Sequence, residues 1–467
     1  MSKVLFFNPP SRQNVYLDTN VKVGAPSYPS LTIATLASQL VEKHQVSVID
    51  LEFFTNFNLA IINKIIKFNP EIVCASSKTT DYLVVRKIMK KIKKRFPKIK
   101  TIIGGVHVTA CIENVIKEDC FDIIIVGEGD TVLSEIISKK PLKKIPGLYF
   151  KDEKTKKTIF TGKRKLISDL NKLSYPAWHL FNLKQYKNSR LSSRLNPVGH
   201  IETSRGCSYQ CNFCSKLIFG TQYRMKNASR VVDEMEYMLK CGFKEIHIAD
   251  DSFTQNIVRA KQVCQEIIKR NLQFPWSLIN GIRVNFVDLE FFKLAKKAGC
   301  WQVGFGIETG SQRVLNKIKK GITISQIKKA ISLAHRVGLD TFGFFIFGLS
   351  GETEKSMKQT IELAKSLPLD TAKFDICIPY PGTSYFNELK SSARILSFDW
   401  SKYVCHQTGV ELFDHPNLNW GTIIYYYHKA FREFYFRPSY IFRRFIRSLK
   451  KKDLIYDLQY FLKSKWY

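Results

Sequence analysis

The chain of 467 residues lacks the features of several large protein classes. No stretch approaches the ~18 uninterrupted apolar residues that a membrane-spanning helix needs. The N-terminal stretch MSKVLFFNPP is too short an apolar run for a secretory signal and has no small-residue cleavage site. No G-x-G-x-x-G motif is present, which argues against a bound dinucleotide. We therefore expect a cytoplasmic protein with a sizeable buried core.

A disulfide framework is absent as well. The cysteines number 11, an odd count, and eight of them are scattered singly. The other three, Cys207, Cys211 and Cys214, form a C-x3-C-x2-C run within RGCSYQCNFCS (205–215). In a reducing compartment so tight a cluster indicates a metal site rather than disulfides.

Acidic residues are scarce relative to basic ones, with 40 Asp and Glu against 73 Lys and Arg and a formal net charge of +33. Such a charge is compatible with nucleic acid, an acidic membrane or an anionic substrate as partner. The lysines are spread along the whole chain, however, as in KKIKKRFPKIK at 90–100. Solvated lysine faces give the same total, and this is the favoured interpretation.

The first part of the chain alternates short apolar runs with helical patterns. Buried parallel strands are predicted at 3–8, 46–50, 71–76, 100–105 and 122–127. Helical patterns lie near 30–42, 57–67, 79–96 and 110–117. This alternation predicts a doubly wound α/β fold with a parallel sheet, in which ligands bind at the carboxyl ends of the strands.

The alternation resumes from about residue 197 with a new rhythm. Strands are predicted at 199–204, 245–250, 276–281, 302–308, 341–348 and 372–378. Helices are predicted at 228–240, 255–270, 286–298, 311–318, 324–337 and 353–366. Six units instead of eight indicate a partial (β/α)6 barrel of the TIM type, with its chemistry at the carboxyl ends of the strands. The cysteine run directly follows the first of these strands.

The chain is therefore expected to have four parts. These are the parallel-sheet domain at 1–140, a linker with a β-hairpin at 141–195, the partial barrel at 196–385, and an aromatic and basic helical region at 386–467. The last region is predicted to be amphipathic. A cap packed on the barrel is its favoured role, ahead of contact with a membrane surface or a lipid-like substrate, and nucleic-acid binding is the least favoured.

Three cysteines are too few for a closed four-ligand metal site. In a cubane iron–sulfur cluster they would leave one iron without a protein ligand, where a substrate or cofactor can bind. A zinc ion could instead take His200 or His247 as its fourth ligand. The spacing alone favours iron–sulfur over zinc.

The cysteine run after the first barrel strand resembles the motif of the radical S-adenosylmethionine (radical SAM) superfamily, including the aromatic Phe213 before the last cysteine. Later segments match that family's strand ends in order: ADDSFT (249–254), GFGIETGS (304–311), FIFGLSGET (345–353) and PYPGT (379–383). The N-terminal segments GGVHVT and VGEGD resemble the cobalamin-binding domain that precedes the barrel in one large branch of the superfamily.

The resemblance implies that Cys207, Cys211 and Cys214 hold three irons of a [4Fe-4S] cluster, and that S-adenosylmethionine chelates the fourth. Reductive cleavage of S-adenosylmethionine would then give a 5′-deoxyadenosyl radical. The implied S-adenosylmethionine contacts are Phe213 at the adenine, Asp250 and Asp251 at the ammonium, Arg283 at the carboxylate, Glu308 and Thr309 at the ribose or methionine end, and Gly348 at the nucleoside. Asp and Thr before helices also act as caps, which is the alternative role.

The resemblance also implies cobalamin contacts at the carboxyl ends of the N-terminal strands. These are Pro9, Pro10, Ser76, Ser77, Gly104, Gly105, Val106, His107, Glu128 and Gly129. Classical cobalamin domains carry a D-x-H-x-x-G loop whose histidine ligates cobalt, but the corresponding loop here, NPPSRQNVYLD, has no histidine. We therefore expect no lower cobalt ligand from this loop. A domain that no longer binds cobalamin is the alternative.

By this resemblance the protein is expected to be a cobalamin-dependent radical SAM methyltransferase acting on an unactivated carbon of a small-molecule or lipid-like substrate. A flavodoxin or ferredoxin would supply electrons. The alternative is an oxidative cyclase or rearrangement enzyme with the same cofactors, and a more distant one is an iron–sulfur or zinc nucleic-acid-binding protein. A methylthiotransferase is disfavoured, because Cys74, Cys111 and Cys120 fall on separate segments and are poorly spaced as ligands.

Overall fold

The computed structural model describes residues 1–11, 26–190, 192–406, 408–451, 454–456 and 458. Its N-terminal sheet comprises β1 (Lys3–Asn8), β2 (Gln45–Asp50), β3 (Ile72–Ser76), β4 (Lys100–Gly104), β5 (Ile123–Ile125), β6 (Leu148–Lys151) and β7 (Thr158–Phe160). The helices of this part are α1 (Leu31–Ser38), α2 (Phe57–Phe68), α3 (Tyr82–Arg95), α4 (Val106–Ala110), α5 (Ile112–Val115) and α6 (Val132–Ile137).

The strand order is β2-β1-β3-β4-β5-β6-β7, and β1 to β5 pair in parallel. Helices cover both faces, because side chains alternate along each strand. On β1, Val4 and Phe6 pack into the core beneath α1 and α6, whereas Leu5 and Phe7 pack into the core beneath α2 and α3. The predicted doubly wound parallel sheet is confirmed.

The hairpin expected in the linker does not stand apart from this sheet. Strands β6 and β7 pair antiparallel with each other, and β6 pairs antiparallel with β5. The sheet therefore extends to Phe160 and is mixed, beyond the expected boundary at residue 140. The physical reason is that β5 would otherwise leave a row of unpaired backbone groups at the edge.

The second sheet is built from β8 (Val198–Ile201), β11 (Glu245–Ile248), β12 (Trp276–Ile282), β13 (Cys300–Glu308), β14 (Asp340–Phe347) and β15 (Thr371–Ile376), while β9 (Ser204–Arg205) and β10 (Arg224–Met225) form a separate pair. Its helices are α7 (Ala228–Lys240), α8 (Ile257–Lys269), α9 (Leu289–Lys297), α10 (Gln312–Lys317), α11 (Ile324–Arg336) and α12 (Glu354–Ser366). All six strands are parallel in the order β15-β14-β13-β12-β11-β8. The sheet is an open barrel with β8 and β15 at its edges, as the six predicted units require.

The C-terminal part contains α13 (Ser384–Ser391), α14 (Trp420–Tyr435) and α15 (Pro438–Lys451). Helix α14 packs on the outside of β15, where Phe431 meets Phe374 edge-on at 5.1 Å between ring centroids. Helix α15 follows it and leaves apolar side chains such as Phe442 and Phe445 exposed. No helix in the described residues is both long and apolar enough to cross a membrane.

Candidate functional site

The three cysteines of the motif lie on the loop between β9 and β10, directly after β8. The two short strands pair antiparallel, so the loop leaves and returns at the same place. It begins at Gly206, which has φ +78°, and a Cβ atom there would stand 2.3 Å from the carbonyl oxygen of Gln222. Farther along, the Asn212 N–H donates to Ile318 O and its carbonyl accepts from Tyr385 N–H. The loop is thus anchored to the end of α10 and the start of α13, the helices that follow β13 and β15.

The three sulfur atoms of the cysteine loop are not at the close spacing that a single zinc ion requires. Among the described residues, the three Sγ atoms of Cys207, Cys211 and Cys214 are not gathered within 4.8 Å of one another. Two thiolates on one zinc ion would be about 3.8 Å apart, given bonds of about 2.3 Å in a tetrahedron. A cubane cluster takes one cysteine per iron and therefore spaces its thiolates more widely.

The two histidines considered as a fourth zinc ligand lie inside β8 and β11, not at the strand ends. His247 Nε2 is hydrogen-bonded to Glu245 at 2.7 Å. The ring of His200 packs against Tyr28 with 4.1 Å between centroids. The alternative of a zinc ion completed by His200 or His247 is therefore wrong.

Positive side chains surround the cysteine loop. Arg283 Nη1 lies 4.0 Å from Cys211 Sγ, and the guanidinium sits 3.3 Å from the centroid of Tyr209. Burial acts to lower the pKa of Lys216, but the thiols of Cys214 and Cys207 raise it above its usual value. Thiolates are the metal-binding form of cysteine, and nearby cations favour that form. The donor set and its charge surroundings thus fit an iron–sulfur cluster.

The two aspartates expected at the methionine ammonium have different environments. Asp250 is buried, and its carboxylate accepts hydrogen bonds from Thr203 N–H at 2.5 Å, Thr203 Oγ1 at 2.5 Å and Ser204 Oγ at 2.6 Å. Its oxygens are therefore engaged in fixing the end of β8, which corrects the expected role. Asp251 is exposed beside the cysteine loop; its pKa is raised above the usual value by desolvation, although the charge of Lys216 acts to lower it.

Lys320, which was not predicted as a site residue, contacts both Glu308 and Phe213. Glu308 ends β13 at φ +67°, next to a register shift against β14. Its carboxylate pairs with Lys320 Nζ at 2.5 Å, and that ammonium lies 5.9 Å from the centroid of Phe213. The backbone carbonyl of Lys320 accepts a hydrogen bond from Arg283 Nη2. The structure therefore places Phe213, Glu308 and Arg283 around one spot beside the cysteines.

Thr309 and Gly348, also expected near S-adenosylmethionine, have structural partners. Thr309 is buried and its hydroxyl bonds to Thr360 Oγ1 of α12 at 3.0 Å, so it anchors a helix. Gly348 has φ +83°, and its N–H donates to the buried Glu352 at 2.6 Å. A Cβ atom on Gly348 would stand 3.4 Å from Ile423 of α14. Its conformation is set by this turn against the C-terminal helix.

A cavity of about 300 Å³ opens at the carboxyl edge of the N-terminal sheet. Seven of the expected cobalamin contacts line it: Ser76, Ser77, Gly104, Gly105, Val106, Glu128 and Gly129. The turn after β4 needs glycine, because Gly105 has φ +108° and a Cβ atom there would lie 2.4 Å from Ser77 O. These two backbone segments are in direct contact, so this wall of the cavity consists of backbone and small residues, which fits part of a bound corrinoid.

Three other expected cobalamin contacts do not line this cavity. Pro9 and Pro10 are buried at the end of β1. His107 is buried in the opposite helix layer, where its ring lies 4.3 Å from Tyr82 and 5.2 Å from Trp400, centroid to centroid. The expected role of His107 is therefore wrong, because α4 carries its side chain to the other face of the sheet. The loop NPPSRQNVYLD follows β1, and its part from residue 12 onwards lies outside the described residues.

A buried ion-pair network connects the cavity to the cysteine loop, and the sequence analysis missed it. Arg205, two residues before Cys207, donates to both oxygens of Asp130 at 2.9 and 2.8 Å. Glu128 pairs with Arg224 at 2.8 Å and with Arg205 at 3.4 Å. Glu128 is thus engaged in holding the two sheets together, beyond its expected place in the cavity wall. The sequence signal was the pair of acidic residues in GEGD and the arginine in RGCS.

Comparisons with known proteins agree with this geometry. A family model described as the B12 binding domain matches residues 19–137, and a model described as the radical SAM superfamily matches residues 201–364. An uncharacterized methyltransferase of Pyrococcus horikoshii is 33% identical over 453 residues, covering 94% of this chain and 94% of the relative.

Two further proteins extend the comparison. An anaerobic magnesium-protoporphyrin IX monomethyl ester cyclase of Cereibacter sphaeroides is 27% identical over 392 residues, covering 81% of this chain and 63% of the cyclase. Among solved structures, the radical S-adenosylmethionine methyltransferase TsrM of Kitasatospora setae, with cobalamin and a [4Fe-4S] cluster bound, matches with a TM-score of 0.70. The match is 18% identical and covers 94% of this chain and 90% of that chain, so it shows the fold.

Proposed function

Because the chain belongs to the cobalamin-binding branch of the radical SAM superfamily, we propose that it transfers a methyl group to an unactivated carbon of a small-molecule or lipid-like substrate. Its cofactors are a [4Fe-4S] cluster, S-adenosylmethionine and cobalamin. When bound, they supply one-electron radical chemistry and a methyl carrier, and the protein supplies orientation and shielding.

One observation carries the proposal: the cysteine loop forms part of the wall of the corrinoid cavity. Arg205, Ile218 and Phe219 lie just before and just after the three cysteines, and all three line the cavity. Gly105 and Gly129 line it from the side of the N-terminal sheet. A substrate between the two sheets would therefore face both cofactor sites at once, which methyl transfer requires.

The chain's own residues would divide the work as follows. Cys207, Cys211 and Cys214 would each hold one iron. Arg283 and Lys216 would balance the negative charge of the cluster and its thiolates. Phe213 would present its ring to the adenine, since aromatic faces stack well on bases.

The remaining partners follow from the same proposal. A radical SAM enzyme needs an electron donor, and a flavodoxin or ferredoxin would fill that role. The exposed Phe442 and Phe445 on α15, next to basic side chains such as Arg444, support contact between this helix and a lipid-like substrate or a membrane surface. Nucleic acid is not proposed as a partner.

Anaerobic turnover of the reconstituted protein tests the proposed reaction. S-adenosylmethionine with an isotopically labelled methyl group would be supplied with a low-potential reductant, cobalamin and an extract of small molecules and lipids. We expect a labelled methyl group on a carbon atom of one product, and only when cobalamin is present. A product of unchanged carbon count with a new ring, formed with the label left on methionine, would support the cyclase alternative instead.

Substitution of Gly105 tests the corrinoid cavity. Gly105→Ala is expected to reduce cobalamin retention at least tenfold, because its Cβ atom would overlap Ser77 O at 2.4 Å and push apart two backbone segments that line the cavity. Bound corrinoid would be measured by its visible absorption after gel filtration. Gly162→Ala is the matched control: this glycine also has a positive φ of +87°, but a Cβ atom there meets nothing within 4 Å. Equal corrinoid retention by the two variants would contradict the assignment of the cavity.

A further inference from the structure

The edge strand of the barrel carries a polar cluster on its concave face. The side chains of Ala372, Phe374 and Ile376 point outward into the hydrophobic core beneath α14. Because side chains alternate along a strand, Lys373 and Asp375 face the other way, into the barrel. The strand register sets them opposite Phe344 and Ile346 of β14.

A later segment of the chain returns to this strand and completes the cluster. Ile376 N–H donates to the carbonyl oxygen of Cys405 at 3.2 Å, which places Cys405 and His406 beside the end of β15. The ligand-type atoms of Asp375, Cys405 and His406 all lie within 4.8 Å of one another. Within the described parts of the chain, no other group of three His, Cys, Asp or Glu side chains is gathered so closely.

The carboxylate of Asp375 is at the centre of this cluster and contacts its other members. Asp375 Oδ2 pairs with Lys373 Nζ at 3.2 Å. Asp375 Oδ1 lies 3.3 Å from His406 Nδ1, and the carboxylate also accepts a hydrogen bond from the Cys405 thiol. Carboxylate, thiol and imidazole side chains in mutual contact form a donor set that one divalent ion can hold together.

We propose that Asp375, Cys405 and His406 bind one divalent zinc ion, with a fourth position open to water or to a donor atom of the substrate. Zinc is bound in proteins by thiolate, imidazole and carboxylate groups, and three protein ligands with one open position are typical of its catalytic sites. Carboxylate and thiolate ligands together offset the two positive charges of the ion. Lys373 would hold the second carboxylate oxygen and so fix the orientation of Asp375.

The ligand set separates this site from the cysteine loop. Iron–sulfur clusters take thiolates almost exclusively, whereas one sulfur with one nitrogen and one oxygen suits a mononuclear ion. None of the three residues belongs to the C-x3-C-x2-C run. Because the site faces the barrel interior, a metal there would sit on the substrate side of the molecule. The placement of the ion beside the substrate rests on the proposed function, but zinc binding itself does not.

The test is zinc binding by the reconstituted, cluster-loaded protein. After incubation with zinc chloride and desalting, we expect about one tightly held zinc ion per chain. Cys405→Ser, Asp375→Asn and His406→Ala are each expected to retain less than about a tenth of it. Cys241→Ser and His179→Ala are the matched controls, a half-buried cysteine and an exposed histidine elsewhere, and should retain all of it.

X-ray absorption at the zinc edge keeps the test decisive if a variant fails to fold. It is specific to zinc and reads the unmodified protein in the presence of iron. The proposal predicts one sulfur at about 2.3 Å with nitrogen and oxygen ligands at about 2.0–2.1 Å. Three sulfur ligands, or no retained zinc, would overturn it. Neither result depends on S-adenosylmethionine cleavage, so a failure here is distinct from a failure of the proposed function.

Discussion

Cys211→Ala is expected to abolish the reductive cleavage of S-adenosylmethionine to 5′-deoxyadenosine. Each cysteine of the run would be the only protein ligand of its iron, so the variant would leave two irons of the cubane without one. We expect a loss of at least 10³-fold in 5′-deoxyadenosine, measured by liquid chromatography after anaerobic reconstitution with iron and sulfide. The iron content of the variant should fall in parallel.

Cys111→Ala is the control for this variant, since Cys111 is likewise half-buried but lies in the N-terminal domain. It should retain the wild-type iron content and rate of cleavage. Undiminished cleavage in Cys211→Ala, or no cleavage by the wild-type protein under any reducing condition, would contradict the assignment of the cysteine loop.

A large loss of stability is expected from substitution in the buried ion-pair network between the two sheets. Arg205→Met would take the guanidinium away from Asp130 and Glu202, while Glu128 would keep its contact with Arg224. Removing one partner of a buried ion pair typically costs about 3 kcal/mol or more. We expect a clear fall in the thermal midpoint together with weaker corrinoid retention, because Arg205 also lines the cavity. Differential scanning fluorimetry and corrinoid absorption would measure the two effects.

Arg270→Met offers a matched comparison on the surface. Arg270 also contacts three carboxylates, those of Asp233, Glu236 and Glu266, but in a more exposed position. Solvent-screened pairs of this kind contribute about 1 kcal/mol or less. Equal destabilisation by the two substitutions would show that Arg205 does not hold the sheets together as described.

The regular elements were predictable because their signals are local. The Val- and Ile-rich runs placed β1, β3 and β4 within a residue of their observed bounds, and the six-unit rhythm of the barrel was recovered in full. The pairing of β6 with β5 was not predictable in this way, because it depends on which strand edge is left open after the helices have packed.

Site residues were predictable where the position of the backbone alone decides whether a residue lines the site. Ser77, Gly104 and Gly105 line the cavity because parallel strands end at one edge of a sheet. Asp250 and His107 were misassigned for the opposite reason, since the direction of a side chain depends on partners far away in the sequence. Asp250 is engaged by strand-end hydroxyl groups, and His107 by aromatic rings of another layer.

The most important unpredicted residues are those whose partners come from distant segments. Arg205 finds Asp130 across 75 positions of sequence. Lys320 joins Glu308 of β13 to the face of Phe213 on the cysteine loop. Asp375 meets Cys405 and His406 only because the chain returns to the edge of β15. Single-sequence patterns carry no record of such contacts, whereas the folded structure shows them directly.

Three cysteines are proposed to hold a cluster whose fourth iron is left for S-adenosylmethionine. Electron paramagnetic resonance of the reduced, reconstituted protein tests it most directly, using S-adenosylmethionine with an isotopically labelled amino nitrogen. We expect S-adenosylmethionine to change the cluster spectrum and a hyperfine coupling from the labelled nitrogen to appear. An unchanged spectrum without that coupling, as for a cluster with four protein ligands, would contradict it.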